Sequence, residues 1–147
     1  MIPGFGDMSL SLAIAAIGSA LGTGVAGMAA IGAWKRAYVQ NKAAPFILVA
    51  FAGAPLTQTI YGMILRNAIR AANLPPESYP YQMLLGCFAG LAIAFSAFMQ
   101  GKAAAKAADA LGETGKGFGQ YMMVIGITET VAVFVMVFTM TAVRKLA

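Results

Sequence analysis

The chain has 147 residues, of which 60% are hydrophobic and only 10% are charged, and its formal net charge is +5. With a mean hydropathy of +0.77, this composition excludes a soluble domain with an ordinary polar surface and indicates an integral membrane protein. The sequence has no His and a single Cys, which excludes an intrachain disulfide and the usual soft-metal sites. Its basic residues lie at the ends of apolar runs, where lipid headgroups account for them, so nucleic-acid binding is not expected.

Four apolar runs are long enough to cross a membrane, since about 18 residues or more at about 1.5 Å each span a hydrocarbon core of about 30 Å. They predict transmembrane helices over residues 8–34, 44–68, 80–101 and 118–143. The first run lacks a basic leader and a cleavage signature, so it is predicted to be retained as a helix. The connections are polar and too short to hold a domain, and they cover residues 35–42, 66–80 and 102–116.

Basic residues are distributed unevenly between the two sides of the predicted bundle. Because cytoplasmic loops carry an excess of Lys and Arg, this bias predicts that both hairpin tips are cytoplasmic and that both termini are outside. The first and third connections hold Lys35, Arg36, Lys42, Lys102, Lys106 and Lys116, against Arg66, Arg70, Arg144 and Lys145 on the other side.

The sequence has the pattern of a duplicated helical hairpin with an offset of 71 residues. The tripeptide Thr-Gln-Thr around Gln58 aligns with Thr-Glu-Thr around Glu129, so the first copy carries a neutral amide where the second carries an acid. The two hairpins are predicted to cover residues 1–73 and 74–147. One acid would therefore serve both hairpins.

Glu129 lies in a strongly apolar part of the fourth predicted helix. A charged side chain at the bilayer centre costs roughly 2.5–3.5 kcal/mol, so an acid at this depth indicates a site for a cation or a proton. The midpoint between Gln100 and Glu129 falls in the glycine-rich turn at 111–117, which predicts equal depth for the two side chains. The same reasoning places Ala29 level with Gln58. Gln58, Gln100 and Glu129 are therefore predicted to share one membrane level, within a protomer or across a protomer boundary.

The residues around Gln58 offer further oxygen atoms. Thr57 provides a hydroxyl, and Pro55, which has no N–H, predicts a tilted or freed carbonyl near Ala54. A hard cation such as Na⁺ prefers several oxygen ligands, whereas a proton needs only the acid, so the surplus of oxygens favours Na⁺ over H⁺. The predicted ion site comprises Glu129, Gln58, Gln100, Thr57 and the backbone carbonyl of Ala54, with Tyr61 as a hydrogen-bond donor that steadies the carboxylate.

Other interpretations stay open at this point. Under one of them, the two glutamines only satisfy a buried neutral Glu129 as interhelical hydrogen bonds. Small residues along the first and third predicted helices favour an inner layer made of these two helices, or else a closed four-helix bundle. The remaining alternatives are a structural membrane protein without transport and a small multidrug-type cation transporter, although that family places its acid in the first helix and has no duplicated hairpin.

A duplicated, glycine-rich hairpin with one carboxylate in the fourth helix and Gln in its place in the second resembles the proteolipid (K or c) subunit of V-type rotary ATPases. The family's leucine at one ligand position is Ala54 here, but the ligand at that place is a main-chain oxygen. The residues that match the sodium-translocating bacterial form are Thr57, Gln58, Tyr61, Gln100 and Glu129.

The resemblance implies an all-α membrane subunit that assembles into a homo-oligomeric rotor ring in a bacterial cell membrane, in contact with lipid. Central stalk subunits at the hairpin tips would turn the ring, driven by ATP hydrolysis in a soluble head, and each Glu129 would pass a static membrane subunit that bears an arginine. The cargo would be Na⁺, with H⁺ as the alternative. Because the sequence has no Walker loop, the chain is expected to be a non-catalytic subunit.

Overall fold

The computed structural model describes residues 5–146 and contains only helices and their connections over that range. The α-helices are α1 (Leu10–Val39), α2 (Leu48–Gly53), α3 (Thr57–Ala71), α4 (Tyr79–Thr114) and α5 (Phe118–Arg144), and short 3₁₀ turns at Ala54–Leu56 and Pro76–Ser78 precede α3 and α4. Because α2, its 3₁₀ turn and α3 are continuous, four helical segments are each long and apolar enough to cross a membrane. The predicted all-α fold with four spans is confirmed, whereas the hairpin boundary between residues 73 and 74 stays a prediction.

The helices continue through stretches that the sequence predicts as polar connections. α1 extends to Val39 and α4 to Thr114, because hydropathy marks where a helix becomes polar and not where its hydrogen bonding stops. The Arg36 guanidinium lies 2.5 Å from the Asp109 carboxylate and joins these two polar ends. The predicted connection at 102–116 is therefore wrong in extent, since the chain leaves the helix only after Thr114.

α1 and α4 approach so closely that their backbones touch. A Cβ atom added to Gly101 would lie 2.3 Å from the Gly22 Cα, and one added to Gly18 would lie 2.3 Å from the Ala94 Cα. Small residues permit this approach, and close van der Waals packing is what holds helices together where lipid is as apolar as the side chains. The second span, Leu48–Ala71, packs against both of these helices. α5 packs against α4 and the second span, and it is the most exposed of the four spans.

The pairing of α1 with the second span can be followed from two close contacts. A Cβ atom on Gly62 would lie 2.6 Å from the Ala15 Cβ, and one on Gly22 would lie 2.9 Å from the Pro55 Cβ. Gln58 lies between Pro55 and Gly62 along the second span. The α1 residue level with Gln58 therefore lies between the two α1 contact positions.

The α1 residue level with Gln58 is Ser19, so the predicted pairing of Gln58 with Ala29 is wrong. The chain reverses at Asn41, which has φ of 52°, and the non-helical residues 42–45 then run back along α1. Non-helical chain covers up to about 3.3 Å per residue against about 1.5 Å in a helix, so the second span begins deeper along α1 than residue counting suggests. The Trp34 indole then donates a hydrogen bond of 2.8 Å to the Pro45 carbonyl, which fixes the returning chain against the end of α1.

Asp7 is a second buried carboxylate, which the hydropathy pattern did not single out. Its side chain is only 1% exposed. The carboxylate accepts hydrogen bonds from the backbone N–H groups of Ser9 (3.0 Å) and Ser11 (2.9 Å) and so caps the first turn of α1. A Cβ atom on Gly86 would lie 2.3 Å from the Asp7 Oδ2, so α4 covers the cap at a glycine. Asp7 thus fixes the start of α1 against α4.

Candidate functional site

Both oxygens of the half-buried Glu129 carboxylate on α5 accept hydrogen bonds. The Tyr61 hydroxyl on α3 donates to Oε1 at 2.5 Å, and the Gln100 amide on α4 donates to Oε2 at 3.1 Å. Side chains from α3 and α4 therefore meet the Glu129 carboxylate of α5.

The hydrogen-bond network continues from Glu129 into the second span. The Gln58 amide donates to the Gln100 Oε1 at 2.7 Å, and both glutamines are completely buried. The Thr57 hydroxyl lies 3.2 Å from the Gln58 Oε1 and 3.1 Å from the Ala54 carbonyl oxygen. One chain therefore links a carboxylate, two amides, a hydroxyl and a main-chain carbonyl without any contribution from a second copy.

The position of the Ala54 carbonyl follows from the proline beside it. Pro55 has no N–H, so the carbonyl of Phe51 loses its helical partner and the chain tightens into the 3₁₀ turn Ala54–Leu56. The backbone N–H of Thr57 closes this turn on the Ala54 carbonyl, and the Thr57 hydroxyl donates to the same oxygen. The 3₁₀ turn at Pro55 therefore lies at the site, and it brings the Ala54 carbonyl next to the Thr57 hydroxyl.

Two side chains of α4 hold the backbone of α5 around Glu129. The Gln100 amide donates to the Ile125 carbonyl at 3.1 Å, and the Ser96 hydroxyl donates to the Thr128 carbonyl at 2.9 Å. Ser96 was not predicted from the sequence. The sequence does place Ser96 one turn before Gln100, on the same face of α4. Both side chains can therefore reach the same neighbouring helix, α5.

The charge of Glu129 is not balanced by a basic side chain of the described part of the chain. Within residues 5–146, the ion pairs join Arg36 to Asp109 at 2.5 Å and to Glu113 at 3.9 Å, both at the far ends of α1 and α4. A buried or lipid-facing charge is stable only when it is paired. Among residues 5–146, the Glu129 carboxylate therefore has no cationic partner.

All of the predicted site residues come together in this network. The sequence left open whether they meet within a protomer or across a boundary, and the structure places them in contact within one chain. Their role in ion binding stays a prediction. The residues are Ala54, Thr57, Gln58, Tyr61, Gln100 and Glu129.

A comparison with protein families matches residues 83–142 to the model for the ATP synthase C-subunit. No curated protein matches the chain. The matched segment begins in the first turns of α4 and ends near the end of α5, so it includes both Gln100 and Glu129. The second helical hairpin of this chain is therefore similar to the ATP synthase C-subunit.

Proposed function

We propose that the chain is a rotor-ring subunit of a V-type rotary ATPase and that it carries Na⁺ on Glu129. The C-subunit of ATP synthases is a non-catalytic membrane protein with a rotor-ring role in ion translocation. The family match covers one hairpin, and the sequence repeats that hairpin at an offset of 71 residues with Gln58 in place of the acid. This duplication supports the V-type form.

The observation that carries the proposal is the oxygen-rich network at Glu129. Amide oxygens of Gln58 and Gln100, the Thr57 hydroxyl and the Ala54 carbonyl lie next to one another and lead to the carboxylate. A proton carrier needs only an acid, whereas a dehydrated hard cation needs several oxygens to replace its water. The donor set therefore favours Na⁺ as the cargo over H⁺.

Charge balance supports a rotary mechanism. With Na⁺ bound, the Glu129 site is neutral and can face lipid as the ring turns. The empty carboxylate is costly in lipid, so ion release is confined to an aqueous path beside the arginine of a static membrane subunit. Moving one ion against 100 mV costs about 2.3 kcal/mol, which ATP hydrolysis elsewhere in the complex supplies.

The surface of the single chain supports assembly into a ring of identical copies. Large apolar side chains are exposed along α1, α4 and α5, and such surfaces require lipid or further protein. We propose that the tips near Arg36 and Gly115 lie in the cytoplasm of a bacterial cell and meet the central stalk, with both termini outside. Exposed examples are Ile17, Met28, Phe88, Phe95, Met123, Ile127, Phe134 and Phe138.

The test is ATP-driven uptake of radioactive Na⁺ into vesicles that contain the complete complex. A primary Na⁺ pump is expected to take up Na⁺ in the presence of a protonophore, because collapse of the proton gradient does not remove its driving force. Uptake that the protonophore abolishes, together with Na⁺-independent acidification of the vesicles, would assign the same rotor to protons.

Replacing Tyr61 with Phe is expected to weaken Na⁺ binding by about 10- to 100-fold, because a hydrogen bond to a charged group contributes roughly 1.5–3 kcal/mol. The change removes the donor that lies 2.5 Å from the Glu129 Oε1 and keeps the ring. Equilibrium binding of radioactive Na⁺ to the detergent-solubilised protein measures the effect. Tyr121→Phe is the matched control, since the Tyr121 ring packs against Phe51 and its hydroxyl does not contact Glu129. Equal affinities for both variants would argue against a role for Tyr61.

A further inference from the structure

Ser19 and Thr23 are two buried hydroxyls of α1 that make no hydrogen bond to the described residues. They lie one helical turn apart, and Ser19 is only 2% exposed. An unpaired buried hydroxyl is unfavourable, and nearly all buried polar groups in proteins have a partner. These two atoms therefore require an explanation that helix packing alone does not provide.

Other hydroxyls in the helices of this chain bond to the backbone of their own helix, whereas those of Ser19 and Thr23 do not. Thr114, Thr128 and Thr141 each donate to the carbonyl four residues earlier in their own helix, at 2.7, 3.0 and 2.9 Å. The same bond is open to any Ser or Thr in a helix interior. The hydroxyls of Ser19 and Thr23 are buried and do not make this bond.

Gln58 is the polar group at the same level. Ser19 lies between the α1 positions that contact Gly62 and Pro55, and Gln58 lies between those two residues on the second span. The fully buried Gln58 amide has two N–H groups, of which one bonds to the Gln100 Oε1. Within the described residues its other N–H has no acceptor, and the Ser19 oxygen has no donor.

We propose that Ser19 is a positioning residue for the ion site and that its hydroxyl accepts the second N–H of Gln58 when the Gln58 carbonyl oxygen turns to a bound cation. This inference rests on the proposed function. A planar amide that presents its oxygen to an ion directs its NH₂ group to the opposite side, where that group needs acceptors. Ser19 offers a buried acceptor on α1, the helix that otherwise contributes nothing to the network.

Equilibrium binding of radioactive Na⁺ to the purified full-length protein in detergent tests the proposal. Ser19→Ala is expected to weaken Na⁺ binding about 3- to 10-fold, as loss of one hydrogen bond does, without a lower melting temperature. Ser11→Ala is the matched control, because Ser11 is an equally buried serine two turns away on α1 that bonds to the Gly62 carbonyl. It is expected to leave Na⁺ binding unchanged.

A double-variant comparison separates positioning of Gln58 from a general packing effect. In a Gln58→Ala background, Ser19→Ala is expected to cause no further loss of Na⁺ binding, because the amide that it serves is gone. Unchanged binding in Ser19→Ala alone, or an undiminished loss in the Gln58→Ala background, would overturn the proposal.

A wrong assignment of Na⁺ as the cargo can be distinguished from a wrong positioning role for Ser19. If the unmodified protein binds no Na⁺, the Na⁺ assignment is wrong, and the same variants are compared by the pH midpoint of carbodiimide labelling at Glu129. A midpoint shift in Ser19→Ala that disappears in the Gln58→Ala background would then support the positioning role. An unchanged midpoint would overturn it.

Discussion

Replacing Glu129 with Gln is expected to abolish ion transport and to leave the protein folded and assembled. Gln has nearly the same shape and is neutral, so the apolar part of α5 accepts it at lower cost than an unpaired carboxylate. The remaining amide, hydroxyl and carbonyl oxygens carry no net charge and cannot neutralise a cation at bilayer depth. Uptake of radioactive Na⁺ by vesicles that contain the complete complex is expected to fall to background, while size-exclusion chromatography shows an unchanged assembly.

Glu113→Gln is the control for this experiment. The Glu113 side chain is 66% exposed and lies 3.9 Å from Arg36 at the tip of α4, so its charge is screened by water. Transport is expected to continue in this variant. Transport that persists in Glu129→Gln would remove Glu129 from the ion path and would leave its hydrogen bonds with a structural role.

Replacing Gly101 with Ala is expected to destabilise the protein by roughly 1–3 kcal/mol, because the added methyl group overpacks the contact between α1 and α4. Its Cβ would lie 2.3 Å from both the Cα and the carbonyl oxygen of Gly22. These are backbone atoms, so no side chain can rotate aside. Since Gln100 precedes this position, the displacement is also expected to weaken Na⁺ binding. Thermal unfolding in detergent, followed by Trp34 fluorescence, measures the loss of stability.

Gly119→Ala provides the matched comparison, since it introduces the same methyl group into a helix where a Cβ meets nothing within 4 Å. Its stability is expected to be unchanged or slightly raised, because Ala favours a helix over Gly by up to about 1 kcal/mol. A Gly101→Ala protein as stable as the Gly119→Ala protein would contradict the close approach of α1 and α4.

The residues that lie at the same depth in the second hairpin could be predicted from the sequence, whereas those in the first hairpin could not. α4 and α5 are regular between Gln100 and Glu129 apart from a short turn in which Gly115 and Gly117 have positive φ, so counting residues from the turn gives the correct depth. In the first hairpin the chain reverses at Asn41 and returns through the non-helical residues 42–45, which cover more length per residue than a helix does. Counting residues from a helical turn therefore gives Ala29 as the residue level with Gln58, where the structure has Ser19.

The candidate site could be predicted because strongly polar residues are rare in apolar runs. Gln58, Gln100 and Glu129 each need a partner in lipid, and their common depth leaves one another as the available partners. Ser96 and Ser19 gave no comparable signal, because a serine in a helix ordinarily bonds to its own backbone. Packing alone determines which helix each of these serines faces.

The most direct test of Na⁺ binding at Glu129 is the rate at which a hydrophobic carbodiimide modifies this residue in detergent, with NaCl compared with KCl from about pH 6 to 9. Carbodiimides react with the protonated carboxyl group, and bound Na⁺ keeps the group ionised. We predict protection that is specific to Na⁺ and strongest at high pH, where fewer protons compete for the carboxylate. Labelling that depends on pH alone would contradict Na⁺ binding and assign the site to protons, and a Glu129 that is never labelled would contradict an accessible ion site.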